Sequence, residues 1–290
     1  MSTRAAPKTV LPADQAGNRI AQAFTRLKAT GQKAFIAYLC AGDPDLDATV
    51  ELVVAMATHP DPERRVDIVE IGIPYSDPMA DGVAIQMACD RALKAGATLR
   101  GVLSAVRRIR ARCDVPLLAF TYLNPVLAYG VEAFARDAVA AGLDGVLPLD
   151  LPPDEDHAVI DTLRAAGLAN VCLAAPTTTP ARRAFLAKES RGFLYYVCRL
   201  GVTGEQATLP PDLAKQVASL KRVASAPVCI GFGISTPEQA ADAARVGDGA
   251  IVGSHLVRLI EAKCAGDRGD LIATVAGRAA ELAAAVHAVR

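Results

Sequence analysis

The feature that most limits what this chain can become is its alternation: short, β-branched apolar runs are separated, again and again, by amphipathic helical stretches. The apolar runs fall at 34–40, 66–73, 116–122, 145–149, 171–174, 193–198, 228–230 and 250–252. Between them the spacing predicts helices over 46–57, over 84–112 with an interruption near 96–99, and over 131–141, 154–166, 180–188, 211–224 and 237–246. Strands that are apolar almost throughout are buried on both faces, so a repeated βα unit predicts a parallel sheet covered by helices. Eight such units close a barrel, and the expected fold is an α/β (β/α)8 TIM barrel. A further helix precedes the first strand, with Asn18 as its cap, Ile20, Phe24 and Leu27 on one face, and Gly31 at its end. Residues 1–17 mix Pro, Ala, Ser and charge without a period and read as a mobile tail. The 290 residues suit one large barrel, no linker divides them, and one domain is expected over 18–290.

The second apolar run carries a charge. Glu70 sits among Val66, Ile68, Val69, Ile71 and Ile73, and the loop that follows Pro74 adds Asp77 and Asp81. A carboxylate in such a strand is costly unless it is paired, hydrogen-bonded or used. Taken alone, these residues fit either an active site or a structural ion pair with turn and cap aspartates. In a barrel, chemistry gathers at the carboxyl ends of the strands, so Glu70, Asp81, Tyr122, Asp150, Tyr195 and the loop after Cys198 should meet at one mouth. The last two strands end in glycine-bearing segments: Gly231, Phe232, Gly233, Ile234 and Ser235, then Gly253 and Ser254. Strand-to-helix turns need glycine in any case, but two such segments after strands seven and eight suit a phosphate held by backbone N–H groups. The loop 199–209, RLGVTGEQATL, is polar and carries two glycines. It reads either as an ordinary connection or as a lid in which Thr203 or Arg199 latches onto Asp77.

Charge and composition narrow the classes. Thirty-one basic and 31 acidic residues balance, which gives no field suited to nucleic acid or an anionic membrane. No apolar run approaches the ~18 residues of a membrane helix, and the first residues lack the apolar core of a secretory signal, so a cytoplasmic protein is expected. Seven cysteines without CxxC spacing, among them Cys40, Cys172 and Cys229 in apolar contexts, predict buried free thiols. The four histidines have no metal-ligand spacing, and no metal is expected.

The motifs AGDP (41–44), EIGIPYSDPMADG (70–82), TYLNPV (121–126) with Tyr129 and Gly130, DLPPDE (150–155), PTTTP (176–180), GVTG (201–204), GFGIS (231–235) and VGS (252–254) together resemble the tryptophan synthase alpha chain family. The resemblance runs from about Asn18 to the C-terminus. It implies a lyase that cleaves indole-3-glycerol phosphate to indole and glyceraldehyde 3-phosphate. It also implies Glu70 as catalytic acid/base, Asp81 as second catalytic carboxylate, and Tyr38, Tyr122, Tyr195 and Thr203 near the substrate. Gly204 joins the glycine segments at the phosphate, and Asp77, Arg199, Thr203 and Asp150 couple the lid to a partner. That partner is a beta chain carrying pyridoxal phosphate, in an alpha2-beta2 heterotetramer, while this chain needs no cofactor of its own. Four features depart from the family pattern: Val83 and Ala84 follow ADG where Pro is usual, Cys198 replaces a Ser, the LPLD segment at 147–150 shifts a proline, and 59–65 looks inserted. The alternatives are a free-standing lyase and a weakly catalytic subunit kept as an allosteric partner. Retention of both Glu70 and Asp81 argues against the latter. A sugar-phosphate isomerase or epimerase would share the glycine segments but has no reason to carry EIGIPYSDPMADG.

Overall fold

The computed structural model describes residues 17–154, 157–197, 212–231 and 233–290. The expected tail therefore lies, Gly17 apart, outside the described residues, as do Cys198, Arg199, Thr203, Gly204 and Phe232. The first half runs α1 (Arg19–Thr30), β1 (Ala34–Cys40), α2 (Leu46–Ala57), β2 (Ile68–Gly72), α3 (Val83–Lys94), α4 (Leu99–Arg110), β3 (Leu117–Thr121), α5 (Leu123–Tyr129), α6 (Val131–Ala141) and β4 (Gly145–Pro148). The second runs α7 (His157–Ala165), β5 (Ala169–Asn170), β6 (Cys172–Ala174), α8 (Pro180–Glu189), β7 (Leu194–Val197), α9 (Leu213–Lys221), β8 (Val228–Gly231), α10 (Pro237–Val246), β9 (Gly249–Val252), α11 (Ser254–Lys263) and α12 (Arg268–His287).

All the strand pairs are parallel, in the order β5-β4-β3-β2-β1-β9-β8-β7-β6. Since β5 and β6 are consecutive in the chain, the sheet curls into the expected barrel, nearly closed. The expected single strand over 171–174 is corrected to two pieces flanking Val171. The interruption has a local cause: the Ser190 hydroxyl takes the Cys172 N–H at 3.0 Å, and Arg191 N–H bonds the Asn170 carbonyl at 2.8 Å. The long helix expected over 84–112 is indeed two helices, broken between Lys94 and Leu99 with Gly96 at φ 85°. Helices α5, α11 and α12 were not anticipated.

Alternation along the strands divides the core in two. Ile36, Tyr38, Cys40, Ile68, Leu118, Phe120, Leu147, Cys229 and Ile251 pack inside the barrel. Phe35, Ala37, Leu39, Val69, Ile71, Leu117, Ala119, Ile230 and Val252 face the helices. Helix α1 stoppers the amino-terminal end. Its Ile20, Phe24 and Leu27 join the inner cluster, Phe24 lies 6.1 Å from Phe193 ring to ring, and Asn18 caps the helix through Ile20 N–H at 3.0 Å.

The same end holds a buried polar knot. His287, at the end of α12, bonds Asp67 Oδ2 through Nε2 at 2.8 Å and meets the Glu63 carbonyl through Nδ1, also at 2.8 Å. Asp67 also accepts the Phe35 N–H, so the 59–65 connection, β1 and the last helix are tied far from the mouth. Cys40, Cys89, Cys172 and Cys229 are buried free thiols, as expected. Among the described residues no helix is long and apolar enough to cross a membrane.

Candidate active site

Parity places Glu70 inside the barrel: it is partnered in register by Tyr38 on one side and Leu118 on the other. It is 1% exposed, and its Oε1 has no hydrogen-bond partner among the described residues. Burial alone pushes its carboxyl up to about 8. At neutral pH the group therefore holds its proton.

Asp81 arrives from the loop between β2 and α3, held by several contacts. Its N–H bonds Pro78 O at 3.1 Å and its carbonyl accepts the Gln86 amide at 2.8 Å. Tyr122 donates its hydroxyl to Asp81 Oδ2 at 3.0 Å while accepting the Ala80 N–H at 2.9 Å. Tyr75 stacks on Tyr122 with ring centres 5.2 Å apart, and Asn124 anchors the Tyr75 hydroxyl. Burial raises the Asp81 carboxyl, the Tyr122 hydrogen bond lowers it, and it settles at about 6. At pH 7 Asp81 is mostly ionised beside a neutral Glu70.

Both acids line one cavity of ≈ 300 Å³ at the carboxyl ends of the strands. Tyr38, Tyr195, Gly231, Gly233, Ile234, Gly253 and Ser254, all expected at the site, share it. Its apolar wall comes from Ile85, Phe120, Leu149, Leu173 and Ile251, which sequence reasoning missed. Strand parity could have found Phe120 and Ile251, two residues from Leu118 and Gly249 on inward-facing positions. Two glycines make room for the tyrosines: a Cβ on Gly72 would lie 2.7 Å from Tyr38 Cζ, and one on Gly231 would lie 2.6 Å from Tyr195 Cζ.

The two glycine segments differ. At α10, Thr236 and Gln239 form a full capping box, and the Gln239 Oε1 takes the Ser235 N–H at 2.8 Å and its hydroxyl at 3.2 Å. Ser235 is thus engaged away from the cavity wall, where a phosphate contact was expected. At α11 the cap is Gly253, which offers no side-chain hydrogen bond, so no cap side chain takes up the first N–H groups of that helix. Tyr122 is the cap residue of α5 and reaches Asp81 rather than the cavity wall.

Asp77 and Asp150 are exposed at the mouth. Asp150 accepts the first N–H of α5, from Leu123, at 2.7 Å. Val83 begins α3 directly after Gly82 and is exposed, as are Met87 one turn on and Met79 in the preceding loop. Arg91 of α3 grips the buried Asp43 with two bonds of 2.9 Å and reaches Glu261 of α11 at 2.8 Å, which locks the helix behind Asp81. Tyr196, next to Tyr195, points outward and bonds Gln216.

The model for the tryptophan synthase alpha chain family matches residues 24–287. The chain is 45% identical over 257 residues to the tryptophan synthase alpha chain of Geobacter sulfurreducens, which covers 89% of this chain and 96% of that one. With the alpha chain of a Caulobacter species the identity is 43% over 274 residues, covering 94% and 98%. Among solved structures, the alpha chain of Legionella pneumophila superposes with a TM-score of 0.82 at 35% identity, over 93% of this chain and 98% of that one. A structure of Mycobacterium tuberculosis tryptophan synthase gives 0.82 at 37% identity, over 93% and 98%.

Proposed function

This chain belongs to the tryptophan synthase alpha chain family, a lyase that cleaves indole-3-glycerol phosphate, and from that premise we propose that Glu70 and Asp81 divide the acid–base work between them. The observation that carries the assignment is the pairing, in one cavity, of a carboxyl raised to about 8 with one near 6.

Cleavage moves one proton from the glycerol hydroxyl to indole C3. Glu70, neutral at pH 7, gives its proton to C3, which leaves positive charge on the ring nitrogen. Asp81, ionised, accepts the ring N–H and stabilises that charge. Glu70, now a carboxylate, takes the hydroxyl proton; the oxygen electrons form the aldehyde carbonyl, the carbon–carbon bond breaks, and its electron pair restores the ring. Glu70 ends as it began. Phe120, Leu149, Leu173 and Ile251 sandwich the indole, and Tyr38 and Tyr195 complete the walls. Gly233 and Ile234 on one side and Gly253 and Ser254 on the other hold the phosphate through backbone N–H groups, with the uncapped α11 terminus contributing most.

The partner is a beta chain. The alpha2-beta2 assembly, with pyridoxal phosphate in the beta chain and none needed here, is our reading of that partnership, and a cytoplasmic location goes with it. Its support is the exposed apolar surface of Met79, Val83 and Met87 beside the exposed Asp77 at the mouth. The test is steady-state cleavage of indole-3-glycerol phosphate by wild type, Glu70→Gln and Asp81→Asn, each with and without a beta chain. Near wild-type turnover in either variant removes that residue from the mechanism, and an unchanged rate on adding the beta chain argues for a free-standing lyase.

A further inference from the structure

The two halves of the phosphate cradle sit on different elements, and the β-ladder that aligns them stops short of both. The last pair in register between β8 and β9 is Gly231 with Ile251. Beyond it, the loop to α10 and the first turn of α11 diverge. One side chain spans the gap from behind. Arg278, in the middle of α12, donates from a terminal guanidinium nitrogen to the Ser235 carbonyl at 2.7 Å and from Nε to His255 Nε2 at 3.0 Å. Its remaining terminal nitrogen meets Glu281 at 2.6 Å.

We propose that Arg278 is a positioning residue for substrate phosphate, a guanidinium bridge that fixes the spacing between the Gly233–Ile234 and Gly253–Ser254 halves of the cradle. The inference rests on the assignment of those four residues to phosphate. Ser235 is held from two sides: its N–H and hydroxyl go to Gln239 and its carbonyl to Arg278, which leaves Gly233 and Ile234, both lining the cavity, as this segment's residues for phosphate. His255 directly follows Ser254, so the bond to its ring sets the first turn of α11, the uncapped terminus. A guanidinium only donates, so His255 accepts through Nε2. Helix α12 packs against both α10 and α11, which makes it the natural anchor for a bridge between them. The planar fork matters. An ammonium on a flexible stem carries the same charge but cannot present fixed, coplanar donors to two acceptors on different elements.

The experiment compares wild type with Arg278→Met, Arg278→Lys, His255→Ala and the double variant His255→Ala/Arg278→Met. Thermal stability, KM and kcat for indole-3-glycerol phosphate, and Kd for glycerol 3-phosphate and for indole are measured. A bridge that serves phosphate binding predicts that Arg278→Met raises KM and the glycerol 3-phosphate Kd about tenfold, the scale of one charge-assisted hydrogen bond. kcat at saturation and indole affinity should stay within twofold, because uniform binding is what is lost. Lysine should fail to restore affinity, and the double variant should bind no worse than Arg278→Met alone. Glu281→Gln, which leaves both bridging bonds in place, should match wild type. An unchanged Kd in a folded Arg278→Met variant, full rescue by lysine, or a fall in kcat without a change in KM would each overturn the bridge. Should wild type itself fail to bind glycerol 3-phosphate, the phosphate assignment falls instead.

Discussion

Replacing Glu70 with Gln should make the protein more stable and almost inactive, and the pH dependence of the gain identifies its cause. The ordinary carboxyl ionises near 4.5, whereas the buried one holds its proton up to about 8. Between those values the folded protein binds one proton more than the unfolded chain, so stability falls as pH rises through the window. The slope is about 1.36 kcal/mol per pH unit. Allowing for partial ionisation at both ends, wild type should lose roughly 3–4 kcal/mol from this one group between pH 5 and pH 8. Glutamine cannot ionise and escapes that loss. Differences that do not depend on pH, such as how well the amide fills the hydrogen-bonding vacancy at Oε1, cancel when the two pH values are compared. Urea unfolding of wild type and Glu70→Gln at pH 5 and pH 8 should therefore show the stability gap widening by roughly 3–4 kcal/mol. Turnover should meanwhile fall by ~10²- to 10⁴-fold, the range for loss of a general acid. A gap that stays constant with pH would refute the buried neutral carboxyl, however low the turnover.

The same two carboxyls predict a bell-shaped profile of kcat/KM. Activity should fall below about 6 as Asp81 gains a proton and above about 8 as Glu70 loses one, and Tyr122→Phe should move only the acid limb. Its direction is upward, by roughly 0.7 of a pH unit, because the lost hydrogen bond of ~1 kcal/mol favours the ionised Asp81; a downward shift would contradict the assigned bond. Gly231→Ala puts a methyl group into the Tyr195 ring, so thermal or urea melts should show a loss of about 1–3 kcal/mol together with weakened substrate binding. For His287, burial lowers its affinity for protons, but the Asp67 hydrogen bond and charge outweigh it and the group ends above 6.5. Its stabilisation is complete below 6.5 and declines as pH rises through the folded value, so His287→Ala should cost about 3 kcal/mol at pH 6 and clearly less at pH 9, and equal losses at both would exclude the ion pair.

The barrel was legible because a parallel strand covered on both faces leaves little choice of residue. Ile68, Val69 and Ile71 are apolar on the inward and outward sides alike, and so are Leu117, Leu118 and Ala119. The break at Val171 was not legible, because its cause is Ser190, a residue some twenty positions on whose hydroxyl takes the Cys172 N–H only once the chain has folded back. Helix α5 hid for a related reason. Pro125 lies in its first turn, where proline suits a helix start, but the N–H of Leu123 is satisfied by Asp150, from a strand loop later in the chain.

At the site, the same reasoning separates Glu70 from Ser235. A carboxyl in an apolar strand has few ways to exist: Glu70 is either paired or neutral, and both alternatives follow from the sequence around it. Among the described residues its Oε1 has no partner and burial raises the carboxyl to about 8, so the neutral form is the one that remains, and a neutral acid is what protonation of carbon requires. Ser235 carries no such constraint. Glycine-bearing turns end both β8 and β9, and sequence treats them alike, yet Gln239 takes up donors at one helix entrance while Gly253 supplies no side-chain cap at the other. On the proposed phosphate assignment, that asymmetry favours α11 as the stronger half of the cradle. The same asymmetry is why the proposed bridge would matter: Gln239 already holds the loop before α10, no side chain caps α11, and Arg278 is bonded to both through the Ser235 carbonyl and the His255 ring.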